Sequence, residues 1–293
     1  MTFAPTNSID TPLNIGVFDS GVGGLSVFRQ LKSSLPEVSW SYCSDSKNFP
    51  YGTKADAQVV ECCVAACTEF VRVASLDGLV IACGTASTVA LPKLRELLSI
   101  PVIGVVPAIK PAAAISNTRS IGLLATHGTV RRPYIEKLIQ DFAADCEVQR
   151  IGSSALVQIA EDKIRGIKIR LADIENELAP FFVPKKENRI DVIVLGCTHF
   201  PLLIEEFDQI VPYKMIWVDS AEAIVRRIFA LFKDRLNVPA QSQDMNPSQN
   251  ILSLSNHSKG FVTGDVSVFF PNELPSFVTS LGLCEWRSID DLI

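Results

Sequence analysis

Two cysteines stand at matched places in the sequence, each closing a run of apolar residues. Cys83 ends "DGLVIAC" and Cys197 ends "DVIVLGC", each six residues after an aspartate. When a thiolate and a thiol lie on opposite faces of one carbon, the thiolate can remove a proton from one face and the thiol can donate a proton to the other. The reverse reaction exchanges their roles. The matched pair therefore predicts inversion of a carbon centre, although a buried free cysteine is also a common core residue.

The residues around the two cysteines predict how their protons are managed. Each cysteine precedes a helical pattern, Pro201 suits the first turn of the second one, and a helix N-terminus lowers the pKa of a thiol. We therefore expect lowered thiol pKa values. Asp19 of "FDSG" and His199 of "CTHF" are the candidates that orient the thiols and take up protons.

Other chemistry is open to the same residues. A single cysteine near a histidine is typical of acyl transfer through a covalent intermediate, and such a hydrolase would tolerate the loss of Cys83. A pyridoxal enzyme needs a Schiff-base lysine, and nothing in the sequence marks Lys47 or Lys54 as buried. The glycine-rich "DSGVGG" is no phosphate loop, because Asp19 would repel a phosphate. It favours a turn that brings Asp19 and Ser20 to a small ligand with an amino group.

The elements that must position these residues alternate between strands and helices. Eight β-rich runs are predicted as strands: "NIGVF", "WSYC", "GLVIAC", "PVIGVV", "SIGLLA", "CEVQRI", "DVIVLGC" and "MIWV". Helices are predicted over 23–34, 55–74, 87–98, 130–142, 154–165, 171–182, 201–210 and 220–234. Continuous Val, Ile and Leu strands between helices indicate an α/β fold with mainly parallel sheets covered by helices on both faces.

A weak internal repeat divides the chain into two similar halves. "NIGVFDSGVGGLSVFRQL" from residue 14 resembles "SIGLLATHGTVRRPYIEKL" from residue 120, and "LDGLVIACGTA" from residue 76 resembles "IDVIVLGCTHF" from residue 190. We predict two pseudo-symmetric domains. The first is discontinuous, 14–108 plus 219–293, the second is 109–218, and 1–13 form an N-terminal extension. Because ligands bind at the carboxyl ends of parallel strands, the two cysteines are expected on opposite walls of one cleft between the domains.

Composition excludes several classes of protein. The chain has 293 residues, 47% of them hydrophobic, and a net charge of −5, which argues against a nucleic-acid binder. It shows no signal peptide and no apolar run near the ~20 residues of a membrane span. Its eight cysteines form no C-x-x-C pair, so neither a zinc site nor a thioredoxin-like site is expected. We expect a protein of the reducing cytosol that binds neither nucleic acid nor membrane.

Three features outside the proposed site complete the prediction. Cys62, Cys63 and Cys67 lie on the apolar face of a predicted helix and are interpreted as core filling. The polar segment 237–260 is predicted to be a surface loop. "FVTGDVSVFF" after it is predicted to be a final strand and turn that returns to one of the sheets.

Five motifs in register resemble those of the cofactor-independent glutamate racemases: "IGVFDSGVGG", "PYGTK", "ACGTAS", "LATHGTV" and "LGCTHFPLL". The resemblance covers about 14–235 and returns at "TGD", 263–265. It implies that Cys83 and Cys197 exchange the α-proton of glutamate, that Asp19 assists Cys83, and that Glu161 and His199 assist Cys197. The substrate contacts it implies are Asp19, Ser20, Tyr51, Gly52, Gly84, Thr85, Thr198 and His199. It implies no cofactor and no metal.

The resemblance also implies a biological setting. D-Glutamate is a building block of bacterial peptidoglycan, and members of the family commonly form homodimers. Some proteobacterial members need a UDP-linked muramoyl-alanine precursor as activator, and "GTVRRPY" and "GCTHFPLL" resemble that group.

Gly84 departs from the family pattern, which usually has asparagine after the first cysteine to bind the main carboxylate of the substrate. Loss of a hydrogen bond to a charged group costs about 1.5–3 kcal/mol, or roughly ten- to a hundredfold in rate. Gly84 is therefore expected to weaken or alter carboxylate recognition. It keeps open a two-thiol racemase for aspartate or a hydantoin. A non-catalytic regulatory paralogue is the third alternative, against which the five intact acid–base residues count.

Overall fold

The computed structural model describes residues 12–183, 189–236, 258–264 and 274–290. Residues 1–11 of the predicted extension, and most of the predicted surface loop at 237–260, lie outside these ranges. Within them, no helix is both long enough and apolar enough to cross a membrane.

Two parallel sheets organise this part of the chain. The first has the strand order β10-β9-β2-β1-β3-β4 and the second β6-β5-β7-β8, and every strand pair is parallel. The strands are β1 (Asn14–Asp19), β2 (Ser39–Ser44), β3 (Gly78–Ile81), β4 (Val102–Gly104), β5 (Ser120–Ala125), β6 (Glu147–Gly152), β7 (Val192–Leu195), β8 (Ile216–Val218), β9 (Lys259–Val262) and β10 (Glu285–Ser288).

Helices connect the strands and cover the sheets. They are α1 (Leu25–Ser34), α2 (Asp56–Ala74), α3 (Gly84–Val89), α4 (Leu91–Leu97), α5 (Ile109–Ile115), α6 (His127–Val130), α7 (Pro133–Phe142), α8 (Ala155–Ile164), α9 (Leu171–Leu178), α10 (Ile204–Ile210), α11 (Ala221–Phe232) and α12 (Ser276–Ser280). Short 3₁₀ turns occur at Ser46–Asn48, Tyr51–Thr53, Ala179–Phe182 and Phe200–Leu203.

Apolar residues on both faces of the sheets explain why the strands read as continuous hydrophobic runs. On β1, Ile15 and Val17 are fully buried in one core cluster, whereas Phe18 is fully buried in another that contains Cys63 and Cys67 of α2. Neighbouring strand residues point to opposite faces, so helices must shield both sides. The interpretation of Cys63 and Cys67 as core filling is confirmed, and Cys62 packs against the same cluster.

The four-stranded second sheet has the same strand order as four consecutive strands of the first sheet. In each, the first strand of the unit lies between the second and the third, with the fourth outside: β2-β1-β3-β4 and β6-β5-β7-β8. This confirms the predicted α/β fold with two pseudo-symmetric halves. The boundaries predicted at 108/109 and 218/219 stay a prediction.

All eight predicted strands are present, but four features differ from the prediction. The helix predicted over 87–98 is two helices, α3 and α4, with Pro92 in the first turn of α4, where its missing N–H costs nothing. The helix predicted over 201–210 begins as a 3₁₀ turn before α10. Strand β10 was not predicted, because "EWRS" carries no apolar run. The strand predicted at "FVTGDVSVFF" is present in part: β9 joins the first sheet as predicted, but it begins at Lys259, inside the predicted loop, and 265–270 lie outside the described residues.

Candidate active site

A cleft lies where the carboxyl ends of β1, β3, β5 and β7 come together. In each sheet the strand order reverses beside the first strand of the unit, which is where ligands bind in open α/β sheets. The cleft is lined by Asp19, Ser20, Phe49, Pro50, Tyr51, Gly52, Thr53, Cys83, Gly84, Thr85, Thr126, Thr129, Ser154, Val157, Gln158, Gly196, Cys197, Thr198 and His199.

Cys83 forms one wall of the cleft at the start of α3. Its side chain is buried, and its Sγ lies 3.7 Å from Oγ of Ser20. Burial raises the pKa of the Cys83 thiol well above its ordinary value, and the charge of Asp19 raises it further, while the N–H of Ala86 and the Ser20 hydroxyl lower it. The expectation of a lowered pKa at this helix N-terminus is therefore wrong for Cys83, because desolvation outweighs the helix.

Asp19 is fully buried at the end of β1 beside the cleft. Its Oδ2 accepts hydrogen bonds from the N–H of Gly24 at 2.6 Å and from Oγ1 of Thr198 at 3.1 Å. Its Oδ1 is buried and has no hydrogen-bond partner in the part of the chain that the structure describes. Burial raises the pKa of Asp19, while the nearby His199 and these donors act in the opposite direction. A buried carboxylate oxygen of this kind attracts a cationic or protonated group.

A chain of three side chains ends at the second thiol. Sγ of Cys197 lies 3.7 Å from Nδ1 of His199, and Nε2 of His199 lies 2.8 Å from Oε1 of Glu161. His199 is 3% exposed and Glu161 1% exposed, so solvent screens this contact little. The order Cys197–His199–Glu161 is an arrangement that can carry a proton between the thiol and the interior.

The imidazole and carboxylate of this chain stabilise each other's charged form. Burial disfavours the imidazolium, yet hydrogen bonds to Cys197 and Glu161 raise the pKa of His199 well above its ordinary value. Burial likewise disfavours the Glu161 carboxylate, but His199 and the Val22 N–H lower the pKa of Glu161 overall. The Arg165 guanidinium adds an ion pair at 3.0 Å to Oε2 of Glu161. Paired groups tolerate burial that isolated charges do not.

The glycine-rich turn after β1 contacts this chain closely. The N–H of Val22 donates to Oε1 of Glu161 at 2.9 Å, across the boundary between the two sheets. A Cβ on Gly23 would lie 2.4 Å from Nδ1 of His199 and 2.5 Å from Oγ1 of Thr198. Only glycine permits that approach. "DSGVGG" thus brings the first half of the molecule against Glu161 and His199 of the second.

The structure brings the predicted site residues together. Every predicted substrate contact and both cysteines line the one cleft, and Glu161 lies directly behind His199. Nine lining residues were not predicted: Phe49, Pro50, Thr53, Thr126, Thr129, Ser154, Val157, Gln158 and Gly196. Two signals in the sequence could have identified four of them. Thr126 follows β5 as Ser20 follows β1, and Ser154, Val157 and Gln158 lie on or just before α8 at helical spacings from Glu161.

Gly84 lies where the two halves approach each other. A Cβ at this position would be 3.3 Å from the carbonyl oxygen of Gly196, the residue before Cys197. The glycine therefore leaves the wall beside Cys83 without a side chain and lets the opposite wall come close.

These features define an amino-acid racemase type of site, with thiols from two similar α/β halves in one cleft. The chain belongs to the Asp/Glu/hydantoin racemase family, whose model matches residues 15–228.

Among its relatives are several glutamate racemases. The chain is 46% identical to the glutamate racemase of Haemophilus influenzae (strain PittGG), over 78% of this chain and 84% of that protein. It is 48% identical to that of Vibrio vulnificus (strain YJ016), over 74% of this chain and 81% of that protein. Its structure matches Escherichia coli glutamate racemase in complex with L-glutamate and the activator UDP-MurNAc-ala, with a TM-score of 0.81 and 38% identity over 95% of this chain and 98% of that one.

Proposed function

We propose that this protein interconverts L- and D-glutamate, with Cys83 and Cys197 as the two proton carriers. The observation that supports this most directly is that both thiols line one cleft from different sheets, each with its own polar partners. The glutamate racemases of H. influenzae and V. vulnificus at this level of identity support the substrate. The product would supply D-glutamate for peptidoglycan in the cytosol.

The reaction removes the α-proton from one face of the α-carbon and delivers a proton to the opposite face. The thiolate of one cysteine takes the α-proton, and the electron pair left on carbon is delocalised into the substrate carboxylate. The thiol of the other cysteine gives its proton to the opposite face, so the products are the other enantiomer and a pair of cysteines with exchanged protonation. The reverse reaction starts from that state. Each member of the pair is a general acid in one direction and a general base in the other.

The neighbouring groups restore and hold these protonation states. Cys83 is the member that favours the neutral thiol, because burial and Asp19 raise its pKa. His199 carries protons between Cys197 and the interior, with Glu161 holding the ring in place at 2.8 Å. The buried Oδ1 of Asp19 receives the substrate ammonium, while the Thr198 hydroxyl holds Oδ2 of Asp19. The Thr85 hydroxyl and nearby backbone N–H groups receive the carboxylate.

Proton NMR of L-glutamate in D₂O, together with circular dichroism, tests the proposal. The α-proton signal should disappear while the optical signal decays to zero, and the pyridoxal-type absorbance should be absent from the purified protein. Exchange and decay that persist undiminished in Cys83→Ser would contradict the two-base assignment, because a single remaining thiol would then suffice for racemisation.

Gly84 favours a second candidate, a two-thiol racemase for aspartate or a hydantoin. We expect Gly84→Asn to raise kcat/KM for glutamate by about tenfold, since it restores a hydrogen bond to a charged group. The 3.3 Å contact with the Gly196 carbonyl must relax for this to happen. Gly84→Ala, which adds the Cβ without the amide, is the matched control and should not improve kcat/KM. No gain in Gly84→Asn, with faster turnover of aspartate or a hydantoin by the unaltered protein, would favour the second candidate.

A UDP-linked muramoyl-alanine is the proposed activator, since E. coli glutamate racemase binds one in the matching structure. Rates with and without this compound distinguish an activated enzyme from one that needs no activator. A homodimer is proposed from the family resemblance, and sedimentation of the purified protein tests it.

A further inference from the structure

Asp45 is a buried carboxylate that the proposed chemistry does not use. It follows β2, the neighbour of β1, and its N–H donates to the carbonyl of Asp19 at 2.9 Å. The side chain is fully buried. Burying a carboxylate costs free energy unless hydrogen bonds compensate its lost hydration. The residues that donate hydrogen bonds to Asp45 are therefore the residues that it holds in place.

Three neutral donors converge on this carboxylate. The Tyr51 hydroxyl donates to Oδ2 at 2.5 Å, and the Asn48 amide lies 3.0 and 3.2 Å from the two oxygens. The third donor is the hydroxyl of Thr263, which binds Oδ1. Hydrogen bonds to an ionised acceptor are about twice as strong as neutral ones, and a carboxylate has room for all three.

Thr263 comes from the far end of the chain and fixes the segment after β2. Its N–H donates to the carbonyl of Ser44 at 3.0 Å, and its carbonyl accepts the Ser46 hydroxyl at 2.8 Å. Its Oγ1 also accepts the N–H of Lys47 at 3.2 Å. Thr263, the residue after β9, therefore contacts four consecutive residues, 44 to 47, and no local sequence pattern in this segment predicts these contacts.

The same segment continues into the wall of the cleft. Pro50, Tyr51 and Gly52 line the cleft, and Tyr51 is 1% exposed with its hydroxyl directed to Asp45. The Phe49 ring centroid lies 5.9 Å from that of His199. Because Tyr51 can contact Asp45 only in this loop conformation, the carboxylate determines where the loop stands relative to the thiols.

We propose that Asp45, with Thr263, is a positioning residue that holds the Phe49–Thr53 loop in its substrate-binding conformation. The inference rests on the proposed substrate site, since the loop matters for turnover only if the ligand occupies this cleft. It assigns a role to the "TGD" motif, whose threonine is Thr263. Asp45 acts on substrate binding and leaves the proton transfer between the thiols unchanged.

Asp191 provides a matched control. It also accepts three hydrogen bonds, from the Ser116 hydroxyl at 2.7 Å and from the N–H groups of Asn117 at 2.7 Å and Thr118 at 3.1 Å. It precedes β7, however, and so lies at the sheet edge opposite Cys197. Asp191 is partly exposed whereas Asp45 is fully buried, so Asp191→Asn should reduce stability less than Asp45→Asn does, and it should not alter the cleft.

The experiment compares Asp45→Asn, Asp191→Asn and the pair Thr263→Val and Thr263→Ser in the full chain. We expect Asp45→Asn to raise KM for glutamate by about tenfold with kcat within about threefold, since the loss falls on ground-state binding. Thr263→Val should raise KM by about threefold, and Thr263→Ser, which keeps the hydroxyl, should restore it. Hydrogen exchange of the amides of Phe49, Tyr51, Gly52 and Thr53 should quicken in Asp45→Asn and Thr263→Val only.

Each outcome decides the inference. An unchanged KM in Asp45→Asn, or an equal rise of KM in Asp191→Asn, would overturn the inference and show that Asp45 has a structural role only. If Asp45→Asn does not fold, the Thr263 pair decides by its difference in KM and exchange. Glutamate turnover by the unaltered protein is measured first, so a failure of the proposed function appears there, whereas the exchange rates test the loop independently of turnover.

Discussion

The two halves of the molecule have the same strand order but give their cysteines different surroundings. Cys83 and Cys197 follow the third strand of their units, β3 and β7, at corresponding sheet edges. Cys83 is buried beside Ser20 and Asp19, whereas Cys197 is partly exposed and contacts the His199–Glu161 pair. Shared topology therefore determines where each thiol lies, and unshared side chains determine which polar groups each thiol contacts.

Replacement of either cysteine by serine is the strongest way to test this comparison. Racemisation should fall by about 10³-fold or more in both variants, because serine is a poor general acid and base at neutral pH. The remaining cysteine can still exchange the α-proton of one enantiomer with D₂O. We expect this half-reaction to be faster in Cys83→Ser, which keeps the Cys197–His199 contact, than in Cys197→Ser, which leaves only the thiol of raised pKa.

NMR of each separate enantiomer in D₂O measures these half-reactions. The two variants should exchange opposite enantiomers. Exchange of the same enantiomer by both would show that the thiols do not face opposite sides of the substrate.

Replacement of His199 by glutamine removes the group that most distinguishes the two sites. We expect kcat/KM to fall by about 10–100-fold, equally for L- and D-glutamate, since the enantiomers have equal free energies. Separate kcat values should become unequal for the two directions. Assays of initial rates from each enantiomer measure both quantities, and unequal kcat/KM values would indicate an artefact of the assay.

The loss of stability in His199→Gln should depend on pH. Because the folded state raises the pKa of His199, its proton stabilises the fold fully below the unfolded value of about 6.5 and progressively less as pH rises towards the folded pKa. The stability difference between the unaltered protein and His199→Gln should therefore be largest near about pH 6 and shrink at higher pH. Urea unfolding across this range measures it, and a difference that grows with pH would contradict the assignment.

A smaller effect is expected from the pair Ser20 and Thr126, which follow equivalent strands. Ser20 contacts Cys83, so Ser20→Ala should lower kcat by about three- to tenfold through loss of one hydrogen bond. Thr126 instead caps α6 by accepting the N–H of Thr129 at 3.3 Å. Thr126→Val should chiefly cost about 1 kcal/mol of stability, seen as a lower Tm. Equal effects on kcat would mean that the halves are more alike than their side chains indicate.

The parts of the fold and of the site that local sequence patterns determine could be predicted from the sequence. All eight strands of the repeated units were predicted, although β2 (SWSYCS) and β6 (EVQRIG) are not apolar runs, and the repeat placed Cys83 and Cys197 at matched strand ends. The raised pKa of Cys83 was not predicted, since it depends on burial by residues distant in sequence. The same holds for β10 and for the contact between Asp45 and Thr263, which are 218 residues apart. Thr126 could have been predicted as a cleft residue, because it corresponds to Ser20 in the repeat.

The hydrogen bond from Val22 to Glu161 means that neither half is a self-sufficient module. A chain divided between the halves would leave a buried carboxylate of one without a donor from the other, so the pieces should regain activity only when they reassociate. A side chain added at Gly23 would likewise displace His199 and lower activity as a His199 variant does, although Gly23 belongs to the other half. The glycine-rich turn therefore makes the two similar halves depend on each other for one working site.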